Sequence, residues 1–204
     1  MMYNNIELFP TVVQMNELGR EFTEFEKTIF ENIGKNQRMN EGNMTSTDSY
    51  VLKHKGLSKL YDELNDSLNN YFRQVYNAKD DVSLYITQSW INYTKEFQYH
   101  HKHLHPNSIL SGIVYLDVDE NNDRILFYKH EDTSNINIPH KEWNRYNSAS
   151  WWLPAKTGTV YIFPSTLTHM VETKKENNLR VSLSFNTFVK GNLGRDIDLT
   201  ELIL

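Results

Sequence analysis

Five stretches of sequence decide the fold, and all of them lie after residue 80. They are VSLYITQSWINY (82–93), SILSGIVYLDV (108–118), RILFY (124–128), TVYIFP (159–164) and RVSLSFNTFV (180–189). Each is short and rich in β-branched and aromatic residues, a composition typical of strands. Turn sequences such as DENND and KKENN separate them. A succession of strands without intervening helices predicts an all-β sandwich or barrel.

The residues before this region have a different pattern. NIELFPTVV (5–13) has the composition of a strand, and the proline within it suits the edge of a sheet. Apolar residues at helical spacing predict one helix over residues 17–33 and a second over residues 58–76. The polar, Asn-rich residues 35–50 between them are interpreted as a loop.

Length and composition favour one structural domain. With 204 residues, of which 39% are hydrophobic and 13% aromatic, the chain has enough apolar material for a substantial core. We expect residues 1–80 to form an N-terminal strand and a helical support, and residues 81–204 to form the β core. The two helices should pack on the outside of one sheet.

Composition also excludes several classes of site and partner. The absence of cysteine excludes disulfides, thiolate catalysis and Cys-based zinc or iron–sulfur sites. A net charge of −5 and the lack of a basic run disfavour a nucleic-acid partner. No apolar run reaches the roughly 18 residues of a membrane span, and the first residues lack a signal-peptide pattern. We therefore expect a cytoplasmic protein without a membrane partner; a homodimer is left open.

A cluster of histidines is the first candidate for chemistry. Four histidines lie within YHHKHLHP (99–106). Alternate residues of a strand share a face, so His101, His103 and His105 should project to the same side. Imidazoles at positions i and i+2 can reach one metal ion, and their nitrogens suit Fe(II) or Zn(II). A His-rich tract without a defined site is the alternative.

The second candidate lies downstream, in FPSTLTHMVETKKENNLRVSLSFN (163–186). His169 follows a short connection after a strand, and Arg180 opens a later one. Arg180 and Ser182 share a face of that strand, away from its apolar residues. An inward arginine is costly to bury unless it meets a carboxylate, which its guanidinium binds through two parallel hydrogen bonds. An ordinary ion pair with one of the 26 acidic residues is the alternative.

Together these residues form an ordered constellation that resembles the Fe(II)- and 2-oxoglutarate-dependent oxygenases. More narrowly, the chain is similar to small oxygenases of bacteria and phages that are distantly related to prolyl hydroxylases. The resemblance covers residues 85–190. Its strongest stretches are WIN (90–92), HLHPNSILSGIVYL (103–116), GTVYIFPSTLTH (158–169) and RVSLSFN (180–186). It implies a mainly β double-stranded β-helix, or jelly roll, that uses Fe(II), 2-oxoglutarate and dioxygen to hydroxylate a substrate.

The resemblance also implies roles for individual residues. The metal ligands, and with them the catalytic centre, correspond to His103, His105 and His169. The residues corresponding to those that bind 2-oxoglutarate are Arg180, Ser182, Tyr115 and Asn92. The role of Asn92 is the least defined of these. Trp90 and the pair Trp151–Trp152 are expected at the mouth of the pocket.

Two positions depart from the common pattern of the superfamily. His105 stands where most members have Asp or Glu, so His101 and Asp117 are kept as alternative third ligands. Asp123 and Arg124 stand where a glycine pair usually opens a strand, and we expect this change to affect the rim of the substrate site.

Two other functions share parts of this pattern. A non-catalytic jelly-roll binding or structural protein would have the same strands. A cupin-like metalloenzyme with three histidines would have the metal but no need of Arg180. The sequence does not identify the substrate, which we expect to be a small molecule or a prolyl or other protein side chain.

Overall fold

The computed structural model describes residues 4–129, 136 and 138–204. Its two α-helices are α1 (Glu24–Gly34) and α2 (Ser58–Tyr71), and a π-helical turn, Phe72–Tyr76, continues α2. The strands are β1 (Gln14–Glu17), β2 (Gln37–Met39), β3 (Met44–Ser46), β4 (Ser83–Thr94), β5 (His100–His103), β6 (Leu110–Asp117), β7 (Arg124–Tyr128), β8 (Ser150–Pro154), β9 (Thr159–Pro164), β10 (His169–Val171), β11 (Arg180–Lys190), β12 (Asn192–Leu193) and β13 (Leu202–Ile203).

The strands form two facing sheets and a small hairpin. The larger sheet has seven strands in the order β1-β9-β6-β11-β4-β3-β2, and the smaller has four in the order β5-β10-β7-β8. Every pairing between these strands is antiparallel. Strands β4 to β11 are divided between the two sheets in jelly-roll order, with four in each. The predicted double-stranded β-helix is therefore confirmed.

Successive side chains of the larger sheet point to opposite faces, and each face packs into its own hydrophobic core. On β6, Val114 packs with the helices in the larger cluster, whereas its neighbours Ile113 and Tyr115 belong to a second cluster between the sheets. Helix α2 supplies Leu60, Leu64 and Leu68 to the larger cluster, all fully buried. Burial of each such leucine contributes about 1.5–3 kcal/mol. The prediction that the helices pack outside one sheet is confirmed.

The N-terminal residues differ most from the prediction. No strand lies within residues 5–13; β1 begins at Gln14, and it does occupy an edge of the larger sheet. Helix α1 begins only after Thr23, whose hydroxyl accepts from the backbone N–H of Glu26 in a capping box. Apolar spacing extended the predicted helix to residue 17 because it does not register this cap.

The predicted loop over residues 35–50 is wrong. It contains β2 and β3, which form a hairpin on the edge of the larger sheet beside β4. The hairpin is mostly polar, so it lacks the apolar alternation by which a strand is recognised. We refer to Gln37–Ser46 as the β2–β3 hairpin.

The N-terminal strands thus extend both edges of the sheet that the later strands build. The second helix was predicted with accurate bounds, if the π-helical turn is counted with it. The division of one structural domain into residues 1–80 and 81–204 stays a prediction. Within the described parts of the chain, no helix is both long and apolar enough to cross a membrane.

Candidate metal and cofactor site

Three of the predicted histidines lie together between the two sheets. His103 ends β5 and pairs in register with His169, the first residue of β10. His105 follows β5, and its Nε2 lies 3.1 Å from Nε2 of His103. The possible ligand atoms of His103, His105 and His169 all lie within 4.8 Å of one another. The fold therefore brings residues far apart in sequence to one point.

The remaining ring nitrogens orient the imidazoles. Nδ1 of His103 lies 2.7 Å from the carbonyl oxygen of His101, and Nδ1 of His169 lies 2.9 Å from that of Leu167. A carbonyl can only accept, so Nδ1 carries the proton in both rings and Nε2 presents a lone pair. Hydrogen bonds of this kind hold metal-binding histidines in one tautomer.

His105 is oriented by a side chain from the opposite strand. Its Nδ1 lies 2.7 Å from Oδ1 of Asn186 and 2.7 Å from the hydroxyl of Ser111. With the proton on Nδ1, the Nε2 lone pair of His105 points toward that of His103. Two lone pairs 3.1 Å apart repel each other unless a cation lies between them. Two nitrogens bound at right angles to one metal at ~2.1 Å would lie about 3 Å apart.

All three rings are held in the neutral form, which is the form that binds a metal. Burial, with the nearby imidazole of His103, lowers the pKa of His105 to about 4. Burial likewise lowers the pKa of His169 to about 3. The pKa of His103 is also lowered, chiefly by burial. Protons therefore do not compete for these nitrogens near neutral pH.

The two alternative ligands lie outside this group. His101 Nδ1 is 3.3 Å from the backbone carbonyl of Glu41, and the side chain groups with His100 and His103 instead. Asp117 ends β6 with an exposed side chain. Neither has a ligand atom in the cluster formed by His103, His105 and His169.

His100 is a site residue that the sequence did not single out. Its ring stacks on that of His103, with centroids 4.4 Å apart and planes 21° apart. Its Nε2 lies 3.3 Å from the side-chain amide nitrogen of Asn40 in the β2–β3 hairpin. Burial lowers the pKa of His100 to about 2, so this ring is neutral as well. His100 lies within the histidine-rich stretch YHHKHLHP, but regular strand alternation places it on the face opposite His101, His103 and His105.

Arg180 is buried without a charged partner. The residue is 2% exposed, and Nε and one Nη of its guanidinium have no hydrogen-bond partner. The other Nη donates only to the backbone oxygen of Arg124, at 3.4 Å. Among the residues that the structure describes, no Asp or Glu pairs with it. A buried cation with two unmet donors implies an anion that is not among the described residues.

Two more residues that face this part of the site, Tyr115 and Asn92, each have an unpaired polar atom. The guanidinium carbon of Arg180 lies 5.3 Å from the centre of the Tyr115 ring, and the Tyr115 hydroxyl has no partner. Burial raises the pKa of Tyr115 well above its usual range, despite the opposing effect of Arg180, so the hydroxyl stays protonated. Asn92 donates to the Ser184 hydroxyl at 3.0 Å, and its own Oδ1 is unpaired.

These residues line one cavity, which we call the inner cavity. Its lining includes the three clustered histidines together with Arg180, Ser182, Asn92 and Thr94. The predicted cofactor residues on β4 and β11 therefore face the histidines, and Tyr115 lies against Arg180. The free volume is only about 20 Å³, so the walls must separate to admit a molecule larger than water.

A second space, the outer cleft, lies on the other side of the histidines. It has a volume of about 540 Å³ and shares His100, His103 and His105 with the inner cavity. Trp90 lines it, with its ring centre 5.7 Å from that of His105. The prediction for Trp151 and Trp152 is wrong, because both are exposed on the edge strand β8 and line neither space.

Comparison with known proteins agrees with this geometry. A family described as "Putative 2OG-Fe(II) oxygenase" matches residues 88–186, just under half of the chain. That range contains every residue of the predicted site. A search of curated protein sequences found no match.

Solved structures of other proteins have a similar fold. One is an oxidoreductase of the 2OG-Fe(II) oxygenase family from Burkholderia pseudomallei, with a TM-score of 0.57, 14% identity, and coverage of 86% of this chain and 83% of that one. HygX from Streptomyces hygroscopicus, with nickel, 2-oxoglutarate and hygromycin B bound, has a TM-score of 0.57, 12% identity, and coverage of 87% and 82%. The viral collagen prolyl hydroxylase vCPH from Paramecium Bursaria Chlorella virus-1 has a TM-score of 0.50, 10% identity, and coverage of 86% and 94%.

The family match and the candidate site fall in the same part of the chain. Over residues 88–186 the chain is similar to the 2OG-Fe(II) oxygenase family, and it shares its fold with the solved structures named above. The cofactors of that family are Fe(II) and 2-oxoglutarate, and the chain carries a group of three histidines that can hold a metal.

Proposed function

We propose that this protein is a hydroxylase in which His103, His105 and His169 hold Fe(II). Support comes from three Nε2 lone pairs that converge and from pKa values that keep the rings neutral. Three ligands on one side of an octahedral ion leave three positions open. The imidazole of His105 in place of a carboxylate removes one negative charge, and the polar contacts of its Nδ1 keep the ring a good ligand.

The single observation that carries the proposal is the unpaired guanidinium of Arg180. We infer that it binds the distal carboxylate of 2-oxoglutarate, because planar carboxylates accept two parallel bonds from a guanidinium. Tyr115 and Ser182 would donate to the same carboxylate from either side. The unpaired Oδ1 of Asn92 is an acceptor, so Asn92 would orient the cosubstrate or a water rather than pair with an anion.

The chain's own groups then have distinct tasks. When bound, Fe(II) and 2-oxoglutarate supply the oxidising chemistry with dioxygen. The buried residues of the inner cavity exclude water, and the neutral histidines hold the ion in a fixed position. Tyr115 keeps its proton because burial raises its pKa, so it acts as a donor and not as a base.

The substrate remains a matter of proposal. HygX was crystallised with hygromycin B, and vCPH is a collagen prolyl hydroxylase. We infer from these relatives of similar fold that a small molecule or a prolyl or other protein side chain is a suitable substrate class. The cytoplasmic location and the homodimer stay predictions.

The unpaired guanidinium of Arg180 argues against the two alternative functions, a three-histidine enzyme without 2-oxoglutarate and a non-catalytic jelly roll. A three-histidine enzyme that does not use 2-oxoglutarate has no use for a buried, unpaired cation facing its metal. A non-catalytic jelly roll would gain nothing from burying that cation, because an uncompensated buried charge costs several kcal/mol, on the order of 3–5.

Anaerobic titration tests the proposal. Addition of 2-oxoglutarate to the Fe(II) protein should produce the weak visible charge-transfer band of the chelate. We expect Arg180→Ala to raise the required 2-oxoglutarate concentration by about 100-fold or more, equivalent to roughly 3 kcal/mol, with Fe(II) binding retained. Arg195→Ala, on the exposed C-terminal segment, is the matched control. A normal band in Arg180→Ala would remove the case for 2-oxoglutarate at this position.

A further inference from the structure

We propose that the outer cleft binds the substrate and that Arg38 of the β2–β3 hairpin selects a small molecule carrying a carboxylate or phosphate group. This inference rests on the proposed function, since it assigns the substrate side of the same metal site. It is carried by the size of the cleft, its position relative to the histidines, and the charges on its walls.

The cleft is large enough to hold a small molecule. Its volume of about 540 Å³ falls in the ~300–1,000 Å³ range of pockets that enclose drug-sized ligands. One wall is the aromatic ring of Trp90, and the others present the amides and hydroxyls of Asn40, Thr45, Ser49 and Gln88. These groups can orient a polar ligand through hydrogen bonds while the indole covers an apolar face.

Strand β4 runs past the metal site and lines both the outer cleft and the inner cavity. On β4, Asn92 and Thr94 line the inner cavity, whereas Gln88 and Trp90 line the outer cleft. His103 and His105 line both. A molecule in the outer cleft would therefore approach the metal position from the side opposite Arg180.

The charge on the walls favours an anion. Among the residues found to line the cleft, Arg38 is the only Lys, Arg, Asp or Glu, although the chain as a whole has a net charge of −5. Its guanidinium is exposed and donates one bond, to the Ser49 hydroxyl at 3.2 Å. Glu41, whose carboxylate lies 4.0 Å from Nδ1 of His101, is not part of the lining. Most of the guanidinium fork is thus free for a carboxylate or phosphate.

Matched ligand pairs test this assignment. The protein is loaded with Ni(II), which stands in for iron without turnover, and with saturating 2-oxoglutarate. Binding is measured by ligand-detected NMR for N-acetyl amino acids against their amides, and for sugar phosphates against the parent sugars. We expect the anionic member of at least one pair to bind about tenfold more tightly, equivalent to about 1.4 kcal/mol. The two series distinguish a carboxylate from a phosphate.

Variants assign the preference to a residue. Arg38→Ala should abolish the preference for the anion, and Arg38→Lys should keep part of it. Arg73→Ala, on the exposed side of the Phe72–Tyr76 turn, removes the same charge away from the cleft and should keep all of it. The inference would be overturned if the anionic and neutral ligands of every pair bound equally, or if no anionic ligand bound. It would also be overturned if Arg38→Ala kept the preference for the anion. Part of each preparation is loaded with Fe(II) in place of Ni(II). Its charge-transfer band shows separately whether the site still binds the metal and 2-oxoglutarate.

Discussion

Asn186 Oδ1 lies 2.7 Å from Nδ1 of His105 and also accepts from the Ser111 hydroxyl at 2.9 Å. Asn186 is on β11 and His105 follows β5, so the contact joins the larger sheet to the segment that carries two of the candidate ligands. An amide oxygen can only accept, which fixes the proton of His105 on Nδ1. Asn186 is therefore a positioning residue for the histidine that replaces the usual carboxylate.

Removal of this acceptor should weaken the metal site. We expect Asn186→Ala to lower metal affinity by about 10–100-fold, the usual effect of losing the hydrogen-bond partner of a metal ligand. Asn186→Asp, which keeps an acceptor, should restore most of it. Anaerobic Co(II) titration followed by its visible spectrum measures the affinity, with exposed Asn178→Ala as the control. Unchanged affinity in Asn186→Ala would mean that Ser111 alone orients the ring.

The choice of metal ligands can be tested by comparing two histidines. His169→Ala should abolish stoichiometric Co(II) binding, because it removes a nitrogen from the cluster of three. His101→Ala should retain it, because that ring makes its polar contact with the backbone of Glu41. Isothermal titration calorimetry gives the stoichiometry. The reverse result would place the metal in the neighbouring group formed by His100, His101 and His103.

A buried ion pair occupies the position where the family pattern has glycine. Lys174 Nζ lies 3.1 Å from Asp123 Oδ1, with side-chain exposures of 1% and 6%. Asp123→Ala should destabilise the protein by about 3–5 kcal/mol, because it leaves buried Lys174 with only the partly exposed Glu176, 3.7 Å away, as a counter-charge. Urea unfolding measures the loss.

The adjacent exposed pair is the control for this prediction. Arg124 and Glu172 form an ion pair whose side chains are 43% and 45% exposed. Glu172→Ala should cost only about 0–1 kcal/mol, as exposed pairs do. If Asp123→Ala and Glu172→Ala lower the free energy of unfolding by the same amount, burial does not strengthen the Lys174–Asp123 pair.

The contact between Glu26 and Arg20 predicts a pH dependence. Burial tends to raise the pKa of Glu26, but hydrogen bonds from Arg20 and Thr23 outweigh it, and the pKa is lowered. A carboxyl with a lower pKa in the folded state adds stability above its unfolded pKa of ~4.5. That stability is lost as the pH falls through the folded pKa.

The variant Glu26→Gln should therefore be less stable than the parent at pH 7, by about 1–2 kcal/mol. The difference should shrink as the pH falls from ~4.5, where the unfolded chain takes up the proton, through the lower folded pKa, where the folded parent takes it up as well. Urea unfolding at pH 7 and at acidic pH checks this, with exposed Glu21→Gln as the control. A difference that does not vary with pH would show that the ionised form contributes nothing.

Sequence patterns predicted five strands of the jelly roll, β4, β6, β7, β9 and β11, because their composition and apolar alternation are set by burial between two layers. The same alternation put Arg180 and Ser182 on one face of β11. The role of Asn186 could not be predicted, because its partner lies 81 positions away along the chain.

Other features depend on geometry that a two-residue period does not describe. The pairing of β10 with β5 shifts register between His169 and Val171, opposite His103 and His100. His100 and His103 consequently both line the site, although they differ by an odd number of positions. Trp151 and Trp152 look like pocket residues by composition, but β8 is an edge strand and leaves both exposed.

The β2–β3 hairpin has a consequence for how new specificities could arise in this scaffold. Every residue proposed to hold iron or 2-oxoglutarate falls within residues 88–186, the part matched by the family, whereas the hairpin that supplies Arg38, Asn40 and Thr45 lies outside it. The proposed oxidising centre and the part of the proposed substrate cleft that carries Arg38 are thus encoded by separate segments of the chain. Grafting a different hairpin between α1 and α2 is a route to a changed substrate range with the reactive centre left intact.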